Sequence, residues 1–225
     1  MPRPMAKIIS LAEDQWGLVT RRQAAQANVP GASFARLINR GLLERVAHGV
    51  YRVVGAAPAD QLELRAAWLQ LDPARSAWAR LDDPTDAIVS HASAAGLYEV
   101  GEFRGDIHEF TWSRPHRTRR ADIRIHRGHV PEGDRVVLKG LPATRPARML
   151  ADLMAEGQEP VLVARMAAEV IERGQDYPAS IARQLAPFAS TFGRALGDGV
   201  GVLEAVLDLA DSRLDRRTVL AEAAR

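Results

Sequence analysis

The stretch that decides the fold is residues 17–53, GLVTRRQAAQANVPGASFARLINRGLLERVAHGVYRV. Thr20 followed by Gln23 has the spacing of a capping box, which predicts that a helix begins after Thr20. The next break is the tetrapeptide Asn28-Val29-Pro30-Gly31. Because Pro30 lacks an amide hydrogen and disfavours helical backbone at the residue before it, this tetrapeptide predicts a tight turn.

A second helix is predicted over residues 33–40. Phe34, Leu37 and Ile38 recur at the spacing of one buried helix face, and Gly41 is placed to end the helix. The opposite face carries Ser33, Arg36, Asn39 and Arg40. Arginine suits guanine and asparagine suits adenine in the major groove of DNA, so this face predicts base contacts.

Two short apolar runs follow at residues 42–46 and 50–54, with Ala47-His48-Gly49 between them. They predict a β-hairpin with His48 at its tip. Residues 6–14 supply an earlier helix, whose apolar side chains can close a small core. Helices followed by a hairpin in this order predict a winged helix-turn-helix that ends near residue 57, and this fold suggests DNA binding.

Charge favours DNA over the two other interpretations of this unit, an ordinary solvated helix face and a protein-interaction module. Residues 1–57 hold eight cations and three anions, a net charge of +5, although the whole chain carries only +2. Clustered positive charge is the footprint of a phosphate-binding surface. We therefore expect phosphate contacts at the start of the second helix and around the hairpin. The expected residues are Thr20, Arg21, Arg22, Arg45, His48 and Arg52.

Two domains are expected from 225 residues, one over residues 1–57 and one over residues 58–225. Hydrophobic residues make up 47% of the chain, which is enough for two cores. Cysteine is absent, so disulfides, thiol catalysis and thiolate metal sites are excluded. No apolar run approaches the ~20 residues that cross a bilayer, and the N-terminus lacks the apolar region of a signal peptide. The sequence therefore predicts a cytoplasmic protein without a membrane partner.

Residues 58–225 predict a mixed domain, with a small antiparallel sheet and several helices, so the chain as a whole is expected to be α+β. Short apolar runs indicate strands at residues 87–90, 107–112, 123–126 and 135–138. Helical periodicity and capping residues indicate helices at residues 61–71, 90–97, 144–153, 161–173, 178–185, 200–210 and 212–224. Residues 147–225 carry a net charge of −3, which argues against DNA contact there and leaves this end free for a different partner.

A basic loop at residues 113–120 predicts either a second nucleic-acid contact or a solvated hairpin loop. Its cations are Arg114, Arg117, Arg119 and Arg120, which accompany His116 and the preceding Trp112. Arginine combined with an aromatic side chain occurs in nucleic-acid sites, but a basic cluster of this length is also a common false positive. Both interpretations stay open.

Sequence motifs of catalysis are missing. Ser90, His91 and Asp86 could be imagined as a hydrolytic triad, but no G-x-S-x-G elbow is present and Ser90 fits a helix cap. His126 and His129 could approach a metal ion, yet their spacing is a poor ligand signal, so surface histidines are the expectation. No glycine-rich nucleotide loop is present. We expect no enzyme activity, no metal and no cofactor.

Three strings together resemble the AbiEi antitoxins of type IV toxin-antitoxin systems. They are GVYRV at residues 49–53, SHASAAGLYEVG at residues 90–101 and GLPATRPARMLADL at residues 140–153. The resemblance extends from residue 5 to about residue 175 and depends on the order and spacing of the strings. Met149 stands where the family usually has threonine. A related arrangement precedes a Vsr-like endonuclease domain in longer proteins, but this chain shows no nuclease carboxylate cluster, so that activity is not expected.

By this resemblance, the winged helix would bind inverted repeats in the promoter of its own operon and repress transcription. The C-terminal domain would neutralise a co-encoded nucleotidyltransferase-like toxin, with or without direct contact. The expected partners are therefore double-stranded promoter DNA and that toxin. Three alternatives stay open: a stand-alone regulator whose C-terminal domain senses a ligand or dimerises, a regulatory remnant of a nuclease, and a pure interaction module.

Overall fold

The computed structural model describes residues 3–103, 105–116, 118 and 120–224. Within these ranges the chain forms eleven α-helices and eight β-strands, so the fold is mixed α+β. Its contacts divide into two compact units, one up to Ala87 and one from Ile88 onward. The narrower boundary at residue 57 stays a prediction about which part of the chain folds alone.

The first unit begins with three helices and a three-stranded sheet. They are α1 (Arg3–Glu13), β1 (Leu18–Thr20), α2 (Arg21–Gln26), α3 (Gly31–Asn39), β2 (Leu43–Ala47) and β3 (Val50–Val53). The central strand β3 pairs antiparallel with both β1 and β2. The hairpin of β2 and β3 agrees with the sequence-based prediction, whereas β1 is an additional strand. This order of elements fits a winged helix-turn-helix.

One apolar core holds the three helices on this sheet. Ile8 of α1, Phe34 and Leu37 of α3, and Leu43 of β2 are buried in it. Phe34 meets Tyr51 of β3 edge to face, with the ring centroids 5.0 Å apart. Such an aromatic pair adds about 0.5–1.5 kcal/mol beyond its buried area. These contacts fix the rotation of α3 and so decide which of its side chains face solvent.

Local sequence signals set the ends of α2 and α3. The Gln23 N–H donates to Thr20 Oγ1 at 3.0 Å and the Thr20 N–H donates to Gln23 Oε1 at 2.9 Å, so the expected capping box is present. Helix α3 begins two residues earlier than expected, with Pro30 as its N-cap. The left-handed residue of the turn is Asn28 (φ +56°), and Gly41 (φ +68°) follows the C-cap of α3 as expected.

Two further helices, α4 (Leu62–Leu71) and α5 (Ala77–Leu81), belong to the first unit, and α5 is absent from the sequence-based expectations. A fully buried ion pair fixes them. Arg80 donates from Nε and Nη2 to the two carboxylate oxygens of Asp86, at 2.9 and 2.7 Å. Its Nη1 donates to the Trp68 carbonyl oxygen at 2.7 Å, and the guanidinium lies 3.8 Å from the centroid of the Trp68 ring.

Buried amide side chains join the segment between α4 and α5 to the start of α2. Gln15 Nε2 donates to Gln23 Oε1 at 2.7 Å. Gln23 Nε2 in turn donates to the Arg75 carbonyl oxygen at 2.8 Å, and the Thr20 hydroxyl donates to the Pro73 carbonyl oxygen at 2.5 Å. The start of α2 is therefore braced by residues that follow the hairpin.

The second unit contains a five-stranded sheet in the order β6-β5-β4-β8-β7. Its strands are β4 (Ile88–Val89), β5 (His108–Trp112), β6 (Ile123–Arg127), β7 (Arg135–Leu138) and β8 (Leu141–Thr144). The expected antiparallel arrangement holds for β4–β5 and β7–β8, but β4–β8 and β5–β6 are parallel, so the sheet is mixed. A tight hairpin would make β5 and β6 antiparallel; the longer connection at residues 113–122 allows parallel pairing instead.

Six helices complete the second unit. They are α6 (His91–Tyr98), α7 (Pro146–Ala155), α8 (Pro160–Glu172), α9 (Pro178–Leu185), α10 (Gly199–Leu209) and α11 (Arg216–Ala223). Three of them begin at a proline, whose missing amide hydrogen costs nothing in the first turn. In the described ranges no helix combines the length and the apolar character that crossing a lipid bilayer requires.

Candidate nucleic-acid interface

The solvent side of α3 carries the residues expected to contact bases. Arg36, Asn39 and Arg40 are exposed, whereas Ser33 is half-buried. Arg36 Nη2 donates to Ser33 Oγ at 3.0 Å, one helical turn away. This hydrogen bond holds the guanidinium along the helix surface. The arrangement can present two guanidinium groups and one amide to a flat array of acceptors.

The start of α2 lies next to the start of α3 and to the hairpin turn. Arg21 and Arg22 are both exposed. A side-chain carbon placed on Gly31 would lie 3.9 Å from Arg21 Nη2, so this guanidinium sits beside the first residue of α3. The Arg21 N–H donates to the Gly49 carbonyl oxygen at 2.8 Å. Three regions that are separate in sequence are therefore brought together here.

The hairpin turn is held in place from two sides. Arg45 Nη2 and His48 Nδ1 lie 3.2 Å apart, and both side chains are exposed. The His48 carbonyl oxygen accepts a hydrogen bond from Gln70 Nε2 of α4 at 2.6 Å. Arg45 and His48 thus extend the exposed basic surface from α2 and α3 onto the hairpin.

Thr20 and Arg52, two of the ten residues expected at this interface, are held back from solvent by contacts within the protein. Thr20 is fully buried, and its hydroxyl is used by the capping box and by the Pro73 carbonyl. Arg52 is half-buried, pairs with Glu44 at 3.1 Å and donates to the Ala56 carbonyl oxygen at 2.7 Å. In this conformation both side chains stabilise the elements that carry the exposed basic residues, and neither side chain is itself fully exposed.

The remaining arginines of this surface form no ion pair with a carboxylate of the described residues. Within residues 3–103, no described ion pair includes any of these five exposed side chains: Arg21, Arg22, Arg36, Arg40 and Arg45. Unpaired cations close together in space raise the local positive potential and attract polyanions. The chemistry of this face therefore suits a phosphate backbone with base edges beside it.

The basic loop at residues 113–120 is only partly described. Arg117 and Arg119 lie outside the described residues, and Arg114 is exposed. Arg120 forms an ion pair with Asp122, and this contact holds the pKa of the Asp122 carboxyl below its usual value. The rings of Trp112 and His116 lie 4.9 Å apart. The charge of Arg120 is thus shared with a carboxylate.

A buried polar cluster in the second unit was missed by sequence reasoning. The rings of His91 and His126 stack with centroids 3.6 Å apart and planes inclined by 13°. Burial, together with the neighbouring His126, lowers the pKa of His91 to about 3. Glu109 lies beside them and accepts hydrogen bonds from the Ala92 N–H and from Arg124 Nη1, both at 3.0 Å. The sequence signal that could have revealed this cluster is the run of polar side chains within β5, a strand that is buried along its whole length.

The imagined triad is not assembled as a relay. Both oxygens of Asp86 are held by Arg80. Ser90 Oγ lies 2.9 Å from His91 Nδ1 and accepts a hydrogen bond from the Thr111 hydroxyl at 2.9 Å. Ser90 is the N-cap residue of α6, but its side chain makes no capping hydrogen bond in the described structure, contrary to expectation.

The comparisons with known proteins locate the family resemblance in the first unit. Residues 6–54 match a family model described as transcriptional regulator, AbiEi antitoxin. In the comparison with curated proteins, none matches the chain. The matched stretch runs from α1 to β3 and includes the string GVYRV, so the resemblance is confirmed there. The helices and strands that position the candidate interface thus have the sequence pattern of the AbiEi antitoxin transcriptional regulators.

Proposed function

We propose that this chain is a DNA-binding antitoxin and transcriptional autorepressor of a type IV toxin-antitoxin operon, acting in the cytoplasm against a nucleotidyltransferase-like toxin. The observation that carries the proposal is the face of exposed arginines on α2, α3 and the hairpin, for which the described part of the chain shows no ion pair with a carboxylate. The AbiEi match over residues 6–54 supports both the regulatory and the antitoxin role.

In the proposed complex, residues 1–57 act as a winged helix-turn-helix. Helix α3 enters the major groove, where Arg36, Asn39 and Arg40 read base edges, with Ser33 positioning Arg36. A separate set of side chains binds the phosphates on either side of the groove. That set is Arg21, Arg22, Arg45 and His48. Phosphate contacts fix the register of the protein, and the base contacts select the sequence.

The proposed sequence-specific DNA binding is tested with the upstream region of the operon. Binding of the full chain is measured by fluorescence anisotropy at several salt concentrations, against a scrambled duplex of equal length and composition. We expect tighter binding to the operon duplex and a linear fall of log affinity with log salt. Equal affinity for both duplexes would remove the sequence-specific role.

The proposed antitoxin activity is tested by co-expression with the adjacent nucleotidyltransferase-like gene. We expect the full chain to restore growth of cells that express this gene. A variant with Arg36→Ala and Arg40→Ala is expected to lose repression yet keep the rescue of growth, because the proposal assigns toxin antagonism to the second unit. Failure of the wild-type chain to restore growth would leave only the regulatory role.

A stand-alone regulator is the second candidate, with a second unit that senses a ligand or dimerises. The observation in its favour is that the family match ends at residue 54, before the second unit begins. The same two assays separate the candidates, since a stand-alone regulator binds its promoter but leaves the toxicity of the neighbouring gene unchanged.

We also propose the basic loop as a second nucleic-acid contact, with Arg114, Arg117, Arg119 and Arg120 near phosphates. The triple variant Arg117→Ala, Arg119→Ala and Arg120→Ala is compared with wild type for the salt dependence of binding. If these residues touch phosphates, each lost contact reduces the slope by about one. An unchanged slope would assign the loop to ordinary solvated surface.

A further inference from the structure

Three secondary-structure elements of the second unit bring two imidazoles and a carboxylate together. His91 is the first residue of α6, His126 lies on β6, and Glu156 is the C-cap of α7. Each of these three side chains offers one ligand atom, and the three atoms all lie within 4.8 Å of one another. His126 Nδ1 and Glu156 Oε1 are 3.1 Å apart.

We propose that His91, His126 and Glu156 bind a divalent transition-metal ion of the zinc class. Imidazole nitrogens with a carboxylate oxygen are a ligand set that zinc uses in proteins, at about 2.0–2.2 Å. Cysteine thiolate ligands are absent from the chain, and an all-oxygen set, which calcium and magnesium prefer, is not what this cluster offers.

The surroundings of the two histidines support this assignment. A histidine that binds a metal almost always directs its other ring nitrogen to an oxygen atom, which fixes the ring. Here Ser90 Oγ lies 2.9 Å from His91 Nδ1, and Glu109 Oε1 lies 3.5 Å from His126 Nε2. Both oxygens belong to buried residues. This arrangement leaves Nε2 of His91 and Nδ1 of His126 as the two metal ligands.

Glu109 is well placed for its part in this arrangement. It lies on β5 beside β6, and its two oxygens are held by the Ala92 N–H and by Arg124. His126 Nε2 is buried and has no hydrogen-bond partner among the described residues. A metal ion on the opposite nitrogen would favour a proton on Nε2 and draw it toward the Glu109 carboxylate.

Binding requires a small closure of the cluster. Three donors at zinc distances lie roughly 3.3–3.5 Å from one another in tetrahedral geometry, against separations of up to 4.8 Å here. The imidazole planes are nearly parallel, so one ring must turn for the two lone pairs to converge. Glu156 is exposed and can move toward the rings. The bound ion would then link α6, β6 and α7.

The test uses the full chain without a histidine tag, purified in a chelator and then dialysed. Zinc binding is measured by calorimetry, and cobalt binding is followed by its visible absorption, which reports nitrogen and oxygen ligation. We expect one ion per chain and a higher melting temperature with zinc, because a ligand that binds only the folded state stabilises it. Loss of an outer-shell partner already costs about 10–100-fold in metal affinity, so Glu156→Gln, which alters a ligand, should weaken binding about tenfold or more, and His126→Ala should abolish it.

His129→Ala is the matched control, since His129 is an exposed histidine of the same unit that is outside the cluster. Its zinc affinity should equal that of wild type. The proposal is overturned if the chain takes up no ion, or if His126→Ala and Glu156→Gln bind as tightly as the control. Should His126→Ala fail to fold, Glu156→Gln decides alone, because its side chain lies at an exposed position.

Discussion

At the scale of single residues, arginines of the first unit have two different roles. Some are exposed to solvent and can contact a partner, whereas others are buried and stabilise the fold. Arg36 belongs to the first kind, because its only described side-chain hydrogen bond is to Ser33 on the same helix. Arg80 belongs to the second kind, because it is fully buried and all its described partners lie inside the first unit. The guanidinium group therefore has two roles in this protein, and substitutions can distinguish them by their effects on DNA binding and on stability.

For Arg36→Ala we predict a loss of about 1–3 kcal/mol in binding to the operon duplex, as expected for a good base contact. Binding to scrambled DNA should change much less. Anisotropy titrations with both duplexes measure the difference. Arg165→Ala, an exposed arginine of α8, is the control and should leave both affinities unchanged. Equal losses on both duplexes would make Arg36 a phosphate contact instead.

For Asp86→Ala we predict a loss of about 3–5 kcal/mol in the free energy of unfolding, because the buried Arg80 charge is left without its partner. Urea unfolding followed by tryptophan fluorescence measures it. Asp208→Ala removes an exposed carboxylate that pairs with Arg216, and this control should cost about 1 kcal/mol or less. Similar effects of the two substitutions would contradict the assigned importance of burial.

At the scale of elements, the cap of α2 and the turns of the first unit were accessible from the sequence because their signals are local. The capping box, the break at residues 28–31 and the hairpin around His48 all depend on side chains within a few residues. Strand β1 depends instead on its pairing with β3, thirty residues later, and α5 is only five residues long. The polar cluster around His91 was missed because parallel pairing of β5 with β6 assembles it.

The capping box gives a prediction that distinguishes two roles of Thr20: stabilising the start of α2 and contacting DNA. Thr20→Ala should lower the stability of the protein by about 0.5–2 kcal/mol, because the N-terminus of α2 loses a hydrogen-bond acceptor. Thr20→Ser keeps the hydroxyl and should restore most of the loss. Thermal unfolding measures both variants. If Thr20→Ser were as stable as wild type but bound DNA more weakly, Thr20 would have a direct part in the interface.

At the scale of the whole molecule, charge and contacts divide the chain at different places. The positive end was visible from composition, since residues 1–57 carry +5 and residues 147–225 carry −3. The contact boundary after Ala87 was not visible, because it depends on hydrogen bonds that α2 makes with residues far along the chain. Arg65 of α4 also lies over the ring of Trp16, 4.4 Å from its centroid.

Truncation tests where the first unit ends. We predict that a fragment of residues 1–87 melts at a higher temperature than a fragment of residues 1–57. In the shorter fragment, Gln23 loses its hydrogen bond to the Arg75 carbonyl, worth about 0.5–1.5 kcal/mol, and the Trp16 ring loses its contact with Trp68. Circular dichroism of both fragments provides the comparison. Equal melting temperatures would indicate that the N-terminal domain ends at residue 57, as the sequence predicts.

The hydrogen bond from Gln70 to the His48 carbonyl has a consequence for the thermodynamics of association. A free loop that becomes rigid on a duplex loses conformational entropy at that moment, and the loss weakens the complex. In this protein the hairpin tip is fixed during folding, before any partner arrives. Calorimetry of Gln70→Ala should therefore show a less favourable entropy of association, while the enthalpy of the contacts made by Arg45 and His48 changes little.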